Sequence, residues 1–163
     1  MMKTKALAKQ VVSVALIAVL SMLMLCACSG GSKTAVTAQE FSAKAESLGF
    51  KTADTSDTYS EYDYVVSSTT AYEKSDDKIA WQMDFLVADS ADKAAGMFNG
   101  NKETFDELSG SVLTISVGNY STYEKTGEGK FMYLCRVDKT MLYVNVDEQY
   151  KDSAKKLISA LGY

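Results

Sequence analysis

The sequence predicts an α+β domain, in which an antiparallel sheet of about five strands carries three helices packed mainly on one face. One observation is the alternation of apolar and polar residues from Ile79 to Val87, which is typical of a half-buried strand. A second is that short turns such as Gly127-Glu128-Gly129 join extended stretches, whereas parallel strands would need long crossovers. A third is that three segments repeat apolar residues at helical spacing. The expected order is helix, two strands, helix, three or four strands, helix.

The first helix is predicted to begin at a capping box, Thr37-Ala38-Gln39-Glu40, in which each side chain accepts a hydrogen bond from the other residue's backbone N–H. Apolar residues then recur on one helical face, at Ala38, Phe41, Ala45 and Leu48. Gly49 is placed to end this helix in the left-handed conformation.

Two strands are predicted after this helix. Tyr62 to Tyr72, with a run of serine and threonine, indicates a polar strand near an edge, and Ile79 to Val87 indicates the clearest strand of the chain. A second helix is expected from Asp89 to about Leu108. Because glycine and asparagine interrupt it between Gly96 and Asn101, a kink or a break is expected near Asn99.

Further strands are predicted over Val112 to Gly118, Lys130 to Val137 and Thr140 to Val146, with Asp138-Lys139 as a second hairpin turn. The last helix is expected to begin after Asp147 as its cap. Its apolar stripe consists of Tyr150, Ala154, Leu157, Ile158 and Leu161, and Gly162 ends it.

The first 27 residues predict an export signal. Met1 to Lys9 carries three lysines and no acidic residue, and the segment from Val11 to Ala27 is apolar apart from Ser13, Ser21 and Cys26. A basic start, a short apolar segment and a small residue before the cleavage point are typical of a secretory signal peptide.

The end of this segment, Leu25-Cys26-Ala27-Cys28, resembles the lipobox of bacterial lipoproteins, in which a leucine and a small residue precede an obligatory, lipid-modified cysteine. The resemblance implies that residues 1–27 are removed and that Cys28 carries diacylglycerol and palmitate. Residues 28–36 would then be the lipidated cysteine and a flexible tether, and residues 37–163 a single domain. Cys26 fits less well, because Leu25 would occupy the position that needs a small side chain.

Two alternatives to lipidation remain open. The 17 residues from Val11 to Ala27 reach the lower limit of a membrane-spanning helix. An ordinary secreted protein cut at the same place would instead leave Cys28 as a free thiol. The lipoprotein and the helix both place the domain on the extracytoplasmic face of the cell membrane, in a cell envelope with either one or two membranes.

The net charge of the processed chain narrows the classes of molecule that it could bind. Residues 28–163 hold 14 basic and 21 acidic residues, a net charge of −7. Binding to nucleic acid or to anionic lipid needs clustered basic residues, so no nucleic-acid partner is expected and attachment to the membrane would depend on the lipid anchor. Cys135 would be the last remaining thiol, predicted to be a small buried apolar residue without a disulfide partner.

No catalytic residue, metal site or cofactor is predicted. The chain has no histidine, on which catalytic triads and most zinc sites depend. Ser90-Ala91-Asp92-Lys93 and Lys125-Thr126-Gly127 match the spacing of two elements of β-lactamases, but the third element is missing, and Ser90 is expected to cap a helix. Acidic residues at 54–63 and 73–77 lack the spacing of a calcium loop and are expected in solvated loops.

Tyrosines provide the candidate interaction surface, because an aromatic ring with a hydroxyl at its rim suits stacking on sugars and docking against proteins. Six tyrosines occur in polar stretches, namely Tyr59, Tyr62, Tyr64, Tyr72, Tyr120 and Tyr123. The alternative is that these rings cover the edge of the sheet.

The sequence therefore predicts a membrane-anchored extracytoplasmic lipoprotein that binds a partner without catalysis. In one hypothesis its tyrosine face docks another envelope protein. In the other, the domain binds a solute or glycan, or is a minor cell-envelope hydrolase, and has a concave pocket with converging polar groups such as Arg136, Asp84 or Asn145. A flat sheet without a cavity would count against the second hypothesis.

Overall fold

A computed structural model describes residues 32–163. The predicted signal peptide, the lipidation site Cys28 and the first part of the tether lie outside these residues. Within the described range, no helix has the length and apolar character needed to cross a membrane.

The described chain folds into three α-helices and one seven-stranded antiparallel sheet. In order, its elements are α1 (Ala38–Ser47), β1 (Lys51–Asp54), β2 (Val65–Ser75), β3 (Lys78–Ala88), α2 (Ala91–Asp106), β4 (Ser111–Val117), β5 (Tyr120–Gly127), β6 (Lys130–Val137), β7 (Thr140–Asp147) and α3 (Lys151–Ala160). The strands lie in the order β1-β2-β3-β7-β6-β5-β4, so β1 and β4 are the two edges. Short 3-10 helices at Ser56–Tyr59 and Glu148–Tyr150 precede β2 and α3.

The expectation of about five strands is corrected, since β1 and β5 were not predicted. β1 has four residues and pairs only with β2, so it shows little apolar alternation. β5 is polar in sequence, yet Ser121, Thr122 and Lys125 within it are buried. Burial of these side chains is compatible with a strand because they find hydrogen-bond partners, such as the Phe105 carbonyl for Lys125.

Helices cover both faces of the sheet, so the expectation that all three pack mainly on one face is also corrected. Phe131, Tyr133 and Cys135 of β6 point to the face covered by α1 and α3. The intervening residues Met132 and Leu134 point to the other face, where they pack against Phe98 and Phe105 of α2. Because side chains alternate along a strand, a central strand that is apolar at successive positions requires cover on both sides.

Both ends of α1 have the structure that the sequence predicts. The Glu40 N–H donates to the Thr37 hydroxyl at 3.1 Å and the Thr37 N–H donates to the Glu40 carboxylate at 2.7 Å, which confirms the capping box. Gly49 has φ of 90°, as the predicted helix end requires. Asp147, in contrast, makes no side-chain cap, because its carboxylate pairs with Lys130 and a 3-10 turn intervenes before α3.

Helix α2 is continuous through the glycines at which a break was expected. Its first turn is capped by Ser90, whose hydroxyl accepts from the Lys93 N–H. The Asn101 side chain donates to the Met97 carbonyl at 2.8 Å and so bonds to the helix backbone rather than interrupting it. Packing of Phe98 and Phe105 on the sheet outweighs the low helix propensity of Gly96 and Gly100.

The last part of the predicted tether lies against the domain. The Lys33 N–H donates to the Asn119 side-chain oxygen at 3.0 Å, and the Asn119 amide returns a bond to the Lys33 carbonyl at 2.8 Å. The Val36 N–H donates to the Tyr163 hydroxyl at 3.0 Å, while Ala35 and Val36 pack on the core beneath α1 and α3. We call Lys33–Val36 and these contacts the N-terminal clasp.

Candidate functional site

A cleft of about 480 Å³ lies on the α2 face of the sheet. One wall is the segment from Tyr59 to Val65, and the other is the side of α2 that carries Gly96 and Gly100. Its floor consists of Leu86 from β3 with Met141 and Tyr143 from β7. We call this cavity the tyrosine cleft.

Three tyrosines from the predicted interaction surface meet in this cleft, namely Tyr59, Tyr62 and Tyr64. The rings of Tyr62 and Tyr64 lie 5.7 Å apart between centroids, and the side chain of Tyr62 is 49% exposed. The Lys93 ammonium lies 5.2 Å from the centre of the Tyr64 ring, where a cation is attracted to the ring face. The segment before β2 therefore presents a cluster of aromatic rings to one side of the cavity.

The opposite wall is shaped by two glycines of α2, which have no side chain. Gly96 and Gly100 are one helical turn apart, and a Cβ atom added at either position would meet nothing within 4 Å. The next turn contributes the polar side chains of Asn101 and Thr104. Longer side chains at the two glycine positions would project into the cleft and fill it.

A hydrogen-bonded carboxylate holds the tyrosine segment to the sheet. Asp84 of β3 is 5% exposed; the Tyr59 hydroxyl donates to its Oδ2 at 3.2 Å and the Thr70 hydroxyl to its Oδ1 at 2.6 Å. Thr55 joins this network through contacts of 2.9 Å with the hydroxyls of Ser68 and Thr70. Burial, together with the charge of Asp84, raises the pKa of Tyr59 above its ordinary value, so Tyr59 is a neutral donor at physiological pH.

A second recess of about 610 Å³ adjoins the cleft and also has Tyr59 in its wall. It lies over β1, β2 and the first part of β3, and its lining includes Tyr72, Gln82 and Lys74. Tyr72, the fourth tyrosine of the predicted surface, thus lies beyond Tyr59 on the same sheet face. Tyr59 and Asp84 form the boundary between the two cavities.

The remaining two tyrosines of the predicted surface do not join this cluster. Tyr120 lies on the opposite face, where the Lys33 ammonium is 4.4 Å from its ring centre. Tyr123 is fully buried, packs near Phe105 and donates to Asp106 at 2.6 Å, so it is removed from the candidate surface. Its polar neighbours in sequence gave no sign that β5 would be covered by α2.

Of the polar groups suggested for a pocket, none lines the cleft itself; Asp84 lines the second recess, and Arg136 lines a further cavity of about 360 Å³ between α2 and β4. Arg136 lies near the β4 edge, with a guanidinium nitrogen 3.4 Å from the Ser121 hydroxyl, and Asn145 is an exposed residue of β7. Cys135 is buried, and burial raises the pKa of its thiol to about 12, which keeps it protonated. It behaves as the predicted buried apolar residue.

The cleft is lined by apolar, hydroxyl and amide side chains. Its lining, among the described residues, includes no charged side chain. Residues 32–163 also contain no group of three His, Cys, Asp or Glu arranged to hold a metal ion. Ser90 and Lys125, the residues with β-lactamase-like spacing, lie at opposite ends of α2, roughly 24 Å apart along a helix of this length.

No protein-family model and no curated protein matches this chain. Among solved structures, the crystal structure of the extracellular domain of PknH from Mycobacterium tuberculosis is similar with a TM-score of 0.37 and 13% sequence identity, over 78% of this chain and 92% of that chain. Similarity at this level is too low to transfer a fold or a function.

Proposed function

We propose that this chain is a membrane-anchored lipoprotein that binds a neutral carbohydrate outside the cytoplasm. The observation that carries the proposal is the tyrosine cleft, which combines aromatic rings, amide and hydroxyl groups and a lining without charge. Its volume falls within the usual range for small-molecule sites. Aromatic rings stack on the apolar faces of sugar rings, while Asn101, Thr104 and the tyrosine hydroxyls can bond to sugar hydroxyls.

The shape of the site favours a ligand over a docked protein. Protein–protein contacts typically bury about 800 Å² on each partner over a broad patch. Here the tyrosines converge on a cavity, and only Tyr62 among them is strongly exposed. Because Tyr59 lines both the cleft and the second recess, a linear oligosaccharide could extend past it over β2 and β3.

Hydrolysis is less well supported than binding. Glycosidases generally use a pair of carboxyl groups flanking the bond that is cleaved. Asp84 and Asp77 both line the second recess, but both oxygens of Asp84 already accept hydrogen bonds, from Tyr59 and Thr70. Its role in this proposal is to hold Tyr59 in place.

Binding can be tested with the full chain in detergent and a panel of neutral oligosaccharides, namely chitotetraose, cellotetraose and maltotetraose, followed by saturation-transfer NMR and calorimetry. At least one should bind, and Tyr62→Ala should weaken this binding by about fivefold, since stacking on one ring contributes about 1 kcal/mol. Gly100→Leu should abolish binding because its side chain fills the cleft.

Glu103→Leu provides the matched control, because Glu103 is an exposed residue of α2 outside the cleft lining. It should bind as the parent does. If none of the sugars binds, or if Gly100→Leu binds them as well as the parent, the carbohydrate proposal is wrong.

Anchoring needs a separate test, because it depends on the lipobox resemblance at Leu25 to Cys28. Protein extracted from membranes should have the mass of residues 28–163 plus lipid, and Cys28→Ala should remain unprocessed. An intact mass equal to that of the whole unmodified chain would exclude the lipoprotein proposal.

A further inference from the structure

The β4 edge of the sheet is open and apolar. All seven residues of β4 are exposed, including Leu113 at 60%, Ile115 at 43% and Val117 at 46%. No charged residue occurs between positions 108 and 123. Edge strands in soluble proteins are usually kept from pairing by charge, proline, a bulge or shortness. In the described structure β4 has none of these features.

The other edge of the sheet is protected. β1 has four residues with Lys51 and Asp54 at its ends, and its Thr52 hydroxyl donates to Glu46 of α1 at 2.7 Å. A sheet with one open and one protected edge can form a closed pair but cannot extend into a filament.

Register identifies which backbone groups of β4 are free. Val117 pairs with Tyr120 across a two-residue turn, in which the first residue's carbonyl accepts from the fourth residue's N–H. Hydrogen-bonded pairs alternate along antiparallel strands, so Ser111, Leu113, Ile115 and Val117 bond to β5. Val112, Thr114 and Ser116 therefore direct their N–H and C=O groups away from the sheet.

We propose that β4 pairs antiparallel with β4 of a second copy of this chain, with Thr114 opposite Thr114 on a two-fold axis. In this register Val112 faces Ser116 of the other copy, and all three pairs consist of residues whose backbone groups are free. The two sheets join into one sheet of fourteen strands through six backbone hydrogen bonds. A shift by one residue would place free groups opposite groups already bonded to β5.

Side chains are also complementary to themselves in this register. Leu113 of each copy lies opposite Ile115 of the other, in the closely spaced type of pair, which forms two apolar contacts on one face. A processed chain with a net charge of −7 repels its own copies, so contact requires an uncharged strip such as residues 108–123. A basic partner would need acidic groups to pair with, and the strip has none. The uncharged strip therefore favours a second copy of this chain as the partner.

The position of the N-terminal clasp is compatible with this dimer. Lys33 bonds to Asn119, in the turn that follows β4, and Ala35 packs on the face of α1 and α3. The two-fold axis of an antiparallel edge contact is perpendicular to the sheet. The N-terminal segments of the two copies therefore leave their domains on the same face of the joined sheet. Two lipid anchors, if Cys28 carries one as proposed, could then enter one membrane.

Cysteine cross-linking in membranes expressing the full chain tests this register. In the dimer the two Thr114 Cα atoms lie about 5.5 Å apart, within the range that a disulfide spans. Thr114→Cys should give a covalent dimer under mild oxidation, whereas Val112→Cys should not, because its two copies lie more than about 13 Å apart. The parent chain, with its buried Cys135, is the background control.

A second variant separates specific pairing from random collision. Adding Ile115→Lys to Thr114→Cys should lower the cross-linked fraction about tenfold, since it places a charge opposite Leu113. Adding Val66→Lys, at a 64% exposed strand residue away from β4, should leave it unchanged. Equal cross-linking of Thr114→Cys and Val112→Cys, or a parent chain that sediments as a monomer in detergent at high micromolar concentration, would overturn the proposal. Circular dichroism confirms that each variant is folded, and sugar binding is measured separately.

Discussion

The ammonium group of Lys125 lies 2.8 Å from the carbonyl oxygen of Phe105, at the C-terminal end of α2. Lys125 belongs to β5, is 3% exposed, and also approaches the Asp106 carbonyl at 3.5 Å. A buried cation at the negative end of the helix dipole thus fixes α2 to the sheet below it.

Replacing this residue, in Lys125→Met, should lower the free energy of unfolding by about 1–2 kcal/mol, because the C-terminal carbonyls of α2 lose their buried cation. Lys102→Met is the control, since Lys102 makes an exposed ion pair with Asp106 and its loss should cost less than about 1 kcal/mol. Urea unfolding measures both. Equal effects would mean that the Lys125 contact contributes no more than an exposed pair.

The glycines of the tyrosine cleft are not required by the helix backbone. Gly96→Ala and Gly100→Ala should each stabilise the domain by about 0.5–1 kcal/mol, because both positions are helical and have room for a Cβ atom. Gly129→Ala should destabilise it, since Gly129 has φ of 74° in a hairpin turn. Thermal unfolding distinguishes the two groups, and a loss of stability in Gly96→Ala would contradict the open space observed beside it.

Alkaline pH should lower the folding stability of the domain. Burial, as the main cause, raises the pKa values of Tyr59, Tyr123 and Tyr133, and a bonded carboxylate adds to this effect for the first two. The unfolded chain releases these protons near pH 10 while the folded chain retains them, so stability is fully present below pH 10 and falls as pH rises above it. Absorbance at 295 nm should show tyrosines that ionise only on unfolding.

In Tyr59→Phe, that late-ionising group of tyrosines should be smaller by one residue. If the number of late-ionising tyrosines does not change, Tyr59 is not shielded in the way that its contact with Asp84 indicates.

The N-terminal clasp can be opened at either end. Asn119→Ala removes both bonds to Lys33 and should accelerate amide exchange at Lys33 by at least about tenfold, because the Lys33 N–H loses its acceptor, although the Lys33 side chain keeps its contacts with the Gly162 carbonyl and the Tyr120 ring. Tyr163→Phe removes the acceptor of the Val36 N–H and should act on Val36 instead. Unchanged exchange in both variants would mean that packing of Ala35 and Val36 alone holds the segment.

Local signals predicted the parts of the fold that depend on neighbouring residues. The capping box at Thr37, the alternation in β3 and the turn at Asp138 all follow from hydrogen bonds or side-chain directions within a few positions. β5 was missed because its burial depends on α2 and β6, which lie elsewhere in the sequence. The division of helices between the two faces could have been suspected from β6, where apolar residues occupy both alternating sets.

The candidate site was predicted in part, for a similar reason. Tyr59, Tyr62 and Tyr64 were selected because they are large rings in a polar segment, and they do share one cavity. Gly96 and Gly100 were interpreted as helix breakers, since a sequence does not reveal what a helix faces. The floor, formed by Leu86 and Met141, requires β3 and β7 to be neighbours, which only the sheet order shows.

The N-terminal clasp has a consequence for orientation. Lys33 to Val36 lie on the side of the sheet that holds α1 and α3, whereas the tyrosine cleft opens on the side of α2. If Cys28 is acylated, five residue steps separate it from Lys33, a span of at most about 18 Å. So short a connection would turn the α1 and α3 side toward the bilayer and leave the tyrosine cleft facing away from it, accessible to soluble ligands while the protein stays attached to the membrane.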